Sequence, residues 1–172
     1  MKKVTTFIAI MMLAFVVVAS NAQAQTITSS RVVVSPYYQA DSSSYTFIGV
    51  SHPSLSGAVS QIGLRVTAVG ANATVNAYVE FTVAAGGTQR VFIVPTNHSV
   101  LNPTTLSDST TSFIAVSTGT GSSGSVRALS SYLTPTTANS NGDINNLSQL
   151  SFWGAIVASA TSSGFAMEFI GD

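Results

Sequence analysis

His52 and His98 are the only histidines in this 172-residue sequence, and cysteine is absent. They are therefore its only side chains that ordinarily change charge near neutral pH. A Ser-His-Asp arrangement would need one of them beside Asp41, Asp108 or Asp143, with a serine nucleophile. Serines are abundant, but no G-x-S-x-G elbow is present to expose one on a strand-to-helix turn. Metal chemistry is as poorly supplied. Structural zinc normally takes four Cys or His ligands, and the two histidines share neither helical nor hairpin spacing. The run Asn139-Ser140-Asn141-Gly142-Asp143-Ile144-Asn145-Asn146 is rich in oxygen, yet it has one carboxylate, so a Gly-containing turn explains it better than calcium. The expectation is a protein that is not an enzyme, with no catalytic residue, cofactor or metal. His52 and His98 remain of interest because each stands near a proline at an expected strand exit (Ser51-His52-Pro53 and Pro95-Thr96-Asn97-His98). Were both exits at one end of the fold, they would be the residues to build a polar site.

The N-terminus has the form of a secretion signal. Met1-Lys2-Lys3 is basic, Phe7 to Val18 is apolar, and Ala22-Gln23-Ala24 is a small-residue cleavage box. The expected division is a signal peptide over residues 1–24, an extended arm or first strand over 25–35, and one β-sandwich domain over 36–172. Loss of Lys2 and Lys3 with the signal leaves four arginines against six carboxylates, a formal net charge of −2. So few cations cannot displace the counterions of a nucleic acid, nor bind an anionic bilayer. No later segment reaches the roughly 20 apolar residues of a spanning helix. Weak charge also means weak self-repulsion, which permits close packing between copies.

Strand-like alternation repeats along the mature chain. In Val75-Asn76-Ala77-Tyr78-Val79-Glu80-Phe81-Thr82-Val83 every odd position is apolar and every even one polar, which predicts a strand with one buried face. Further strands are expected over 28–34, 45–50, 62–69, 90–94, 113–116, 126–129, 150–158 and 165–170. Three hairpins are expected, at Ala84-Ala85-Gly86-Gly87, at Gly119 to Gly124, and at Thr161-Ser162-Ser163-Gly164. Together these predict an all-β fold, a single antiparallel β-sandwich of jelly-roll or Ig-like type with about eight strands. The expected core includes Val75, Ala77, Val79, Phe81, Val83, Phe165, Met167 and Phe169. Two longer connections, 95–110 and 130–147, are candidates for functional loops.

For a glycan site the aromatic material is Tyr37-Tyr38-Gln39 and Phe152-Trp153, but adjacent strand residues point to opposite faces, so neither pair makes a platform alone. Three N-x-S/T sequons, at Asn72, Asn97 and Asn146, carry little weight in a chain this rich in Ser and Thr.

Three strings resemble uncharacterised secreted bacterial proteins. They are Ser44-Tyr45-Thr46-Phe47-Ile48-Gly49-Val50-Ser51-His52-Pro53, Arg90-Val91-Phe92-Ile93-Val94-Pro95-Thr96-Asn97-His98, and Gly164-Phe165-Ala166-Met167-Glu168-Phe169-Ile170-Gly171-Asp172. The resemblance implies export from a Gram-negative-type cell and brings no known activity. In composition the chain is also similar to fibre and surface-layer subunits.

The resulting expectation is a non-catalytic extracellular structural subunit that self-assembles into a filament, sheath, surface layer or matrix, at the cell surface or beyond it, with the periplasm as the other compartment. Its partner would be itself, with surface glycans as a further one. The alternative is a secreted β-sandwich module binding a glycan or small ligand. A cluster of exposed aromatics around Trp153 with converging Asn and Gln would favour that alternative. Residues 26–34 are a candidate connector between subunits, because Pro36 ends the strand and an unblocked sheet edge invites strand addition.

Overall fold

The computed structural model describes residues 32–54, 60–98, 100–106, 108–119, 121–130, 147–158 and 162–171. The signal region, most of the N-terminal arm and the Asn139–Asn146 run lie outside them. The described chain forms β1 (Val32–Gln39), β2 (Ser44–Ser51), β3 (Gln61–Gly70), β4 (Val75–Ala84), β5 (Thr88–Pro95), β6 (Thr111–Val116), β7 (Ser123–Ser130), β8 (Ser151–Ala158), β9 (Ser163–Ala166) and β10 (Ile170–Gly171). One 3-10 turn, Leu147–Gln149, leads into β8. Sheet A has the order β10-β1-β7-β3-β4 and sheet B the order β6-β5-β2-β8-β9. The two pack face to face as an all-β sandwich.

Between them lies the core. Ile62, Leu64, Val66 and Val83 from sheet A meet Ile48, Val50, Val91, Ile93 and Ile114 from sheet B, all at most 1 % exposed. Burial of each such side chain contributes about 1.5–3 kcal/mol. Polar groups that enter the interior are bonded. Tyr38, fully buried, donates its hydroxyl to the Gly121 carbonyl at 2.7 Å, which ties β1 to the β6–β7 connection. The Thr46 hydroxyl accepts from the Gln39 N–H and donates to the Gln39 carbonyl, joining the sheets where β1 hands over to β2.

Several expectations need correction. Val75 is 59 % exposed and Phe165 62 % exposed, so neither belongs to the core. Both lie on edge strands, where the facing sheet no longer covers them. Ala77, Val79, Phe81, Met167 and Phe169 are partly buried against the core, and Val83 is within it. The run 165–170 is not one strand. β9 pairs with β8 in sheet B, residues 167–169 cross the gap, and β10 pairs with β1 in sheet A. Phe169 packs on Phe152 at 5.8 Å during that crossing, while the Met167 N–H bonds the Gly154 carbonyl.

Only one of the three expected hairpins forms, β8–β9. The turn at residues 85–87 passes the chain from β4 in sheet A to β5 in sheet B, and residues 117–122 pass it from β6 to β7. The partner of β4 is β3, through the turn at 71–74. One pair, β5–β6, is parallel and departs from the antiparallel expectation. That explains the length of the 96–110 connection, because parallel neighbours need a crossover of about a dozen residues or more.

β1 is flanked on both sides. Val32, Val33 and Val34 pair with Leu129, Ala128 and Arg127 of β7, and Val33 and Val34 also pair with β10. This part of the proposed connector is therefore committed within its own domain.

Candidate association face

The strands of sheet B differ from β4 in their sequence pattern. Val91-Phe92-Ile93-Val94 and Phe113-Ile114-Ala115-Val116 are apolar at consecutive positions, as are Phe47-Ile48 and Ala155-Ile156-Val157. Such runs belong to strands covered on both faces. In sheet B the inner positions fill the core, and the outer ones project from the sandwich.

Register fixes the layout of that outer face. Phe47 stands opposite Phe92 on one side and Ala155 on the other. Phe92 stands opposite Phe113, and Ala155 opposite Ala166. One row therefore reads Phe113, Phe92, Phe47, Ala155, Ala166 across all five strands. Ring centroids lie 5.5 Å apart for Phe113–Phe92, nearly stacked at 20°, and 5.1 Å apart for Phe92–Phe47. Tyr45 extends the cluster to Phe92 at 6.3 Å and to the His98 ring at 6.0 Å.

Trp153 completes the face. Its indole crosses Gly49 of β2 so closely that a Cβ there would overlap the ring, and it packs on Phe47 at 4.9 Å. Glycine at 49 lets the indole lie against the strand while remaining 51 % exposed. The charged residue on these rows is Arg90, opposite Gly49, and its guanidinium is paired with Asp108 at 2.7 Å. The Thr110 hydroxyl and N–H, with help from Arg90, hold the Asp108 carboxyl at about 2, well below the usual range.

The two histidines are not brought together. β2 and β5 are antiparallel, so their exits lie at opposite ends of sheet B. His52 is buried at one end, with its backbone bonded to Gly86 and Gly87 and its Nδ1 at 2.9 Å from the Pro53 carbonyl. His98, at the other, accepts the Val100 and Leu101 N–H groups at Nδ1. Both organise loops. Among the described residues no cluster of three His, Asp or Glu could hold a metal ion.

Of the glycan candidates, Tyr38 and Phe152 face inward, while Tyr37 and Trp153 are exposed on different sheets. Tyr37 borders a lateral groove of about 390 Å3 between β1 and β9, walled by Pro36, Ile156, Phe165 and Met167 with Glu168 at its rim. Asn and Gln side chains do not converge on Trp153 in the described rows. The residues missed by sequence reasoning are Phe47, Phe92 and Phe113. Their signal was the loss of polar alternation in β2, β5 and β6.

Searches against protein-family models, curated proteins and solved structures find no match. Among the described residues no helix is long and apolar enough to cross a membrane.

Proposed function

We propose that this chain is an exported, non-catalytic structural subunit that assembles with copies of itself into a filament, sheath, layer or matrix outside the cell, its signal peptide removed after Ala24. The observation that carries this reading is the outer face of sheet B, against which no described strand packs. Its partly exposed aromatics Phe113, Phe92 and Phe47 span three of the five strands, Trp153 is half exposed beside them, Arg90 is already paired, and contiguous apolar surface marks an interaction site. Covering it with a second weakly charged copy avoids the desolvation of unpaired ions. Among the described residues no strand pairs with the outer edge of β4 or of β6, and neither carries a lysine, so both offer a further contact by strand addition. The winding is jelly-roll-like in this reading, since the chain changes sheets at β1–β2, β2–β3, β4–β5, β6–β7, β7–β8 and β9–β10.

A glycan-binding module is the second reading, favoured by the half-exposed Trp153 lying on Gly49. The Phe47 ring is tilted 58° from the indole and 57° from Phe92, which breaks the coplanar platform that stacked sugar rings would need. Electron microscopy and sedimentation of the purified mature protein separate the two. Uniform fibres or sheets, or a mass rising with concentration, are expected. A strict monomer across a wide concentration range that binds an oligosaccharide would overturn the assembly reading.

A further inference from the structure

In the central row of sheet B's outer face, large and small side chains are divided about β2. Phe92 and Phe113 stand on the β5–β6 side, and Ala155 and Ala166 on the β8–β9 side of the same row. We infer that the occupant of this face is a second copy of the chain, related by a two-fold axis running along β2. The inference rests on the assembly reading and specifies its first contact.

Rotation about an axis parallel to β2 exchanges the two sides. Phe92 then lies over the partner's Ala155, and Phe113 over the partner's Ala166, so along this row each bulky half fills the other's shallow half. Phe47 meets its own equivalent at the centre. In the neighbouring row Arg90 and Trp153 flank Gly49 on opposite sides. The same rotation brings the Trp153 indole, which lies across Gly49, beside its own equivalent at the axis, an aromatic pair at the centre of the contact. Arg90 keeps its pairing with Asp108. An axis across the strands would instead place Phe92 on Phe92 and Ala155 on Ala155, holding the sheets apart on one side and leaving a void on the other. Strands about 4.8 Å apart, rising about 3.3 Å per residue, give each face a footprint on the order of 500 Å2. Side-chain relief raises it toward the roughly 800 Å2 per partner of a standard interface. Parallel alignment of β2 with its equivalent also fits the way sheets stack face to face. Such a contact closes on itself, so the unit that polymerises is a dimer and growth uses another surface.

The chain has no cysteine, so Ser51→Cys at the end of β2 introduces a single thiol on the outer side. With the axis along β2, two such thiols face each other across sheets about 10 Å apart, and a short bismaleimide links them. With the axis across the strands they lie at opposite ends of the interface, about 26 Å apart along the strand direction, and do not link. Sedimentation of the Ala155→Phe variant gives an independent reading, with circular dichroism confirming its fold. We expect efficient Ser51→Cys cross-linking, association weakened at least tenfold by Ala155→Phe, and recovery to within about threefold when Phe92→Ala is added. Dimers that neither cross-link through position 51 nor respond to Ala155→Phe would overturn the axis and leave the assembly reading standing. A protein monomeric at every concentration would overturn both.

Discussion

Across the outer face of sheet A the cross-strand rows read Val32, Leu129, Arg65, Glu80 and Val34, Arg127, Thr67, Tyr78. Across sheet B the central row reads Phe113, Phe92, Phe47, Ala155, Ala166. The first is suited to water. Arg65 pairs with Glu80 at 3.0 Å and lies 4.3 Å over the Tyr78 ring, interactions that tolerate solvent and add little to stability. The second has the composition of an interior, with no described strand packed on top. Two sheets that share one core thus have opposite outer chemistries, and the difference is the ground for proposing sheet B as the association surface.

The sharpest contrast is between two glycines. A Cβ on Gly124 in sheet A would fall on the Val69 carbonyl oxygen, a backbone atom held by the β3–β7 ladder. On Gly49 in sheet B the nearest atoms it would meet all belong to the Trp153 side chain. Gly124→Ala is therefore expected to cost about 3 kcal/mol, at the top of the overpacking range, and Gly49→Ala about 1 kcal/mol because the indole can rotate away. Urea unfolding measures both, and equal costs would remove the distinction between a rigid and a yielding contact.

Aromatic truncation comes next. Phe92 touches Tyr45, Phe47 and Phe113, whereas Tyr78 has one ring contact, with Arg65. Phe92→Ala should lower stability by about 2 kcal/mol, and Tyr78→Ala by under about 1 kcal/mol. The same pair should differ in assembly, with Phe92→Ala weakening association and Tyr78→Ala leaving it unchanged in sedimentation. A loss of association in Tyr78→Ala would move the contact to sheet A.

The smallest expected effect is on pH dependence. Asp41, held by the Gln39 side-chain amide and the Ser43 N–H, has its carboxyl lowered to about 2, as has Asp108. Unfolded carboxyls protonate near 3.8. Depressed folded values mean that their contribution is complete above about pH 4 and is lost as pH falls toward 2. Acid titration of the unfolding midpoint should show that decline, flattened in Asp41→Asn and Asp108→Asn. An unchanged slope in both variants would remove these carboxyls as its source.

How far the sequence was legible follows the same division between faces. β4 was readable because only one of its faces is apolar, and its expected limits 75–83 fall within the observed Val75–Ala84. Alternation states which residues face inward, but not which sheet a strand joins. For that reason the turn at Gly86-Gly87 read as a hairpin, although it hands the chain across the sandwich. The parallel β5–β6 pair was equally hidden, since its evidence is only the long 96–110 connection. The histidine pair failed for a geometric reason, because successive exits from antiparallel strands point to opposite ends. In sheet B the consecutive apolar residues were visible, yet a single sequence does not say whether the layer that covers them is internal or a second molecule.

Trp153 offers the most direct measurement, because it is the chain's only tryptophan and lies on the face in question, half exposed. Its emission and its quenching by acrylamide can be followed as the mature protein is diluted, with sedimentation run at the same concentrations. Association through sheet B predicts a blue-shifted, shielded indole at high concentration that becomes red-shifted and quenchable in step with the loss of mass. Assembly that proceeds while Trp153 stays exposed and quenchable would contradict the account.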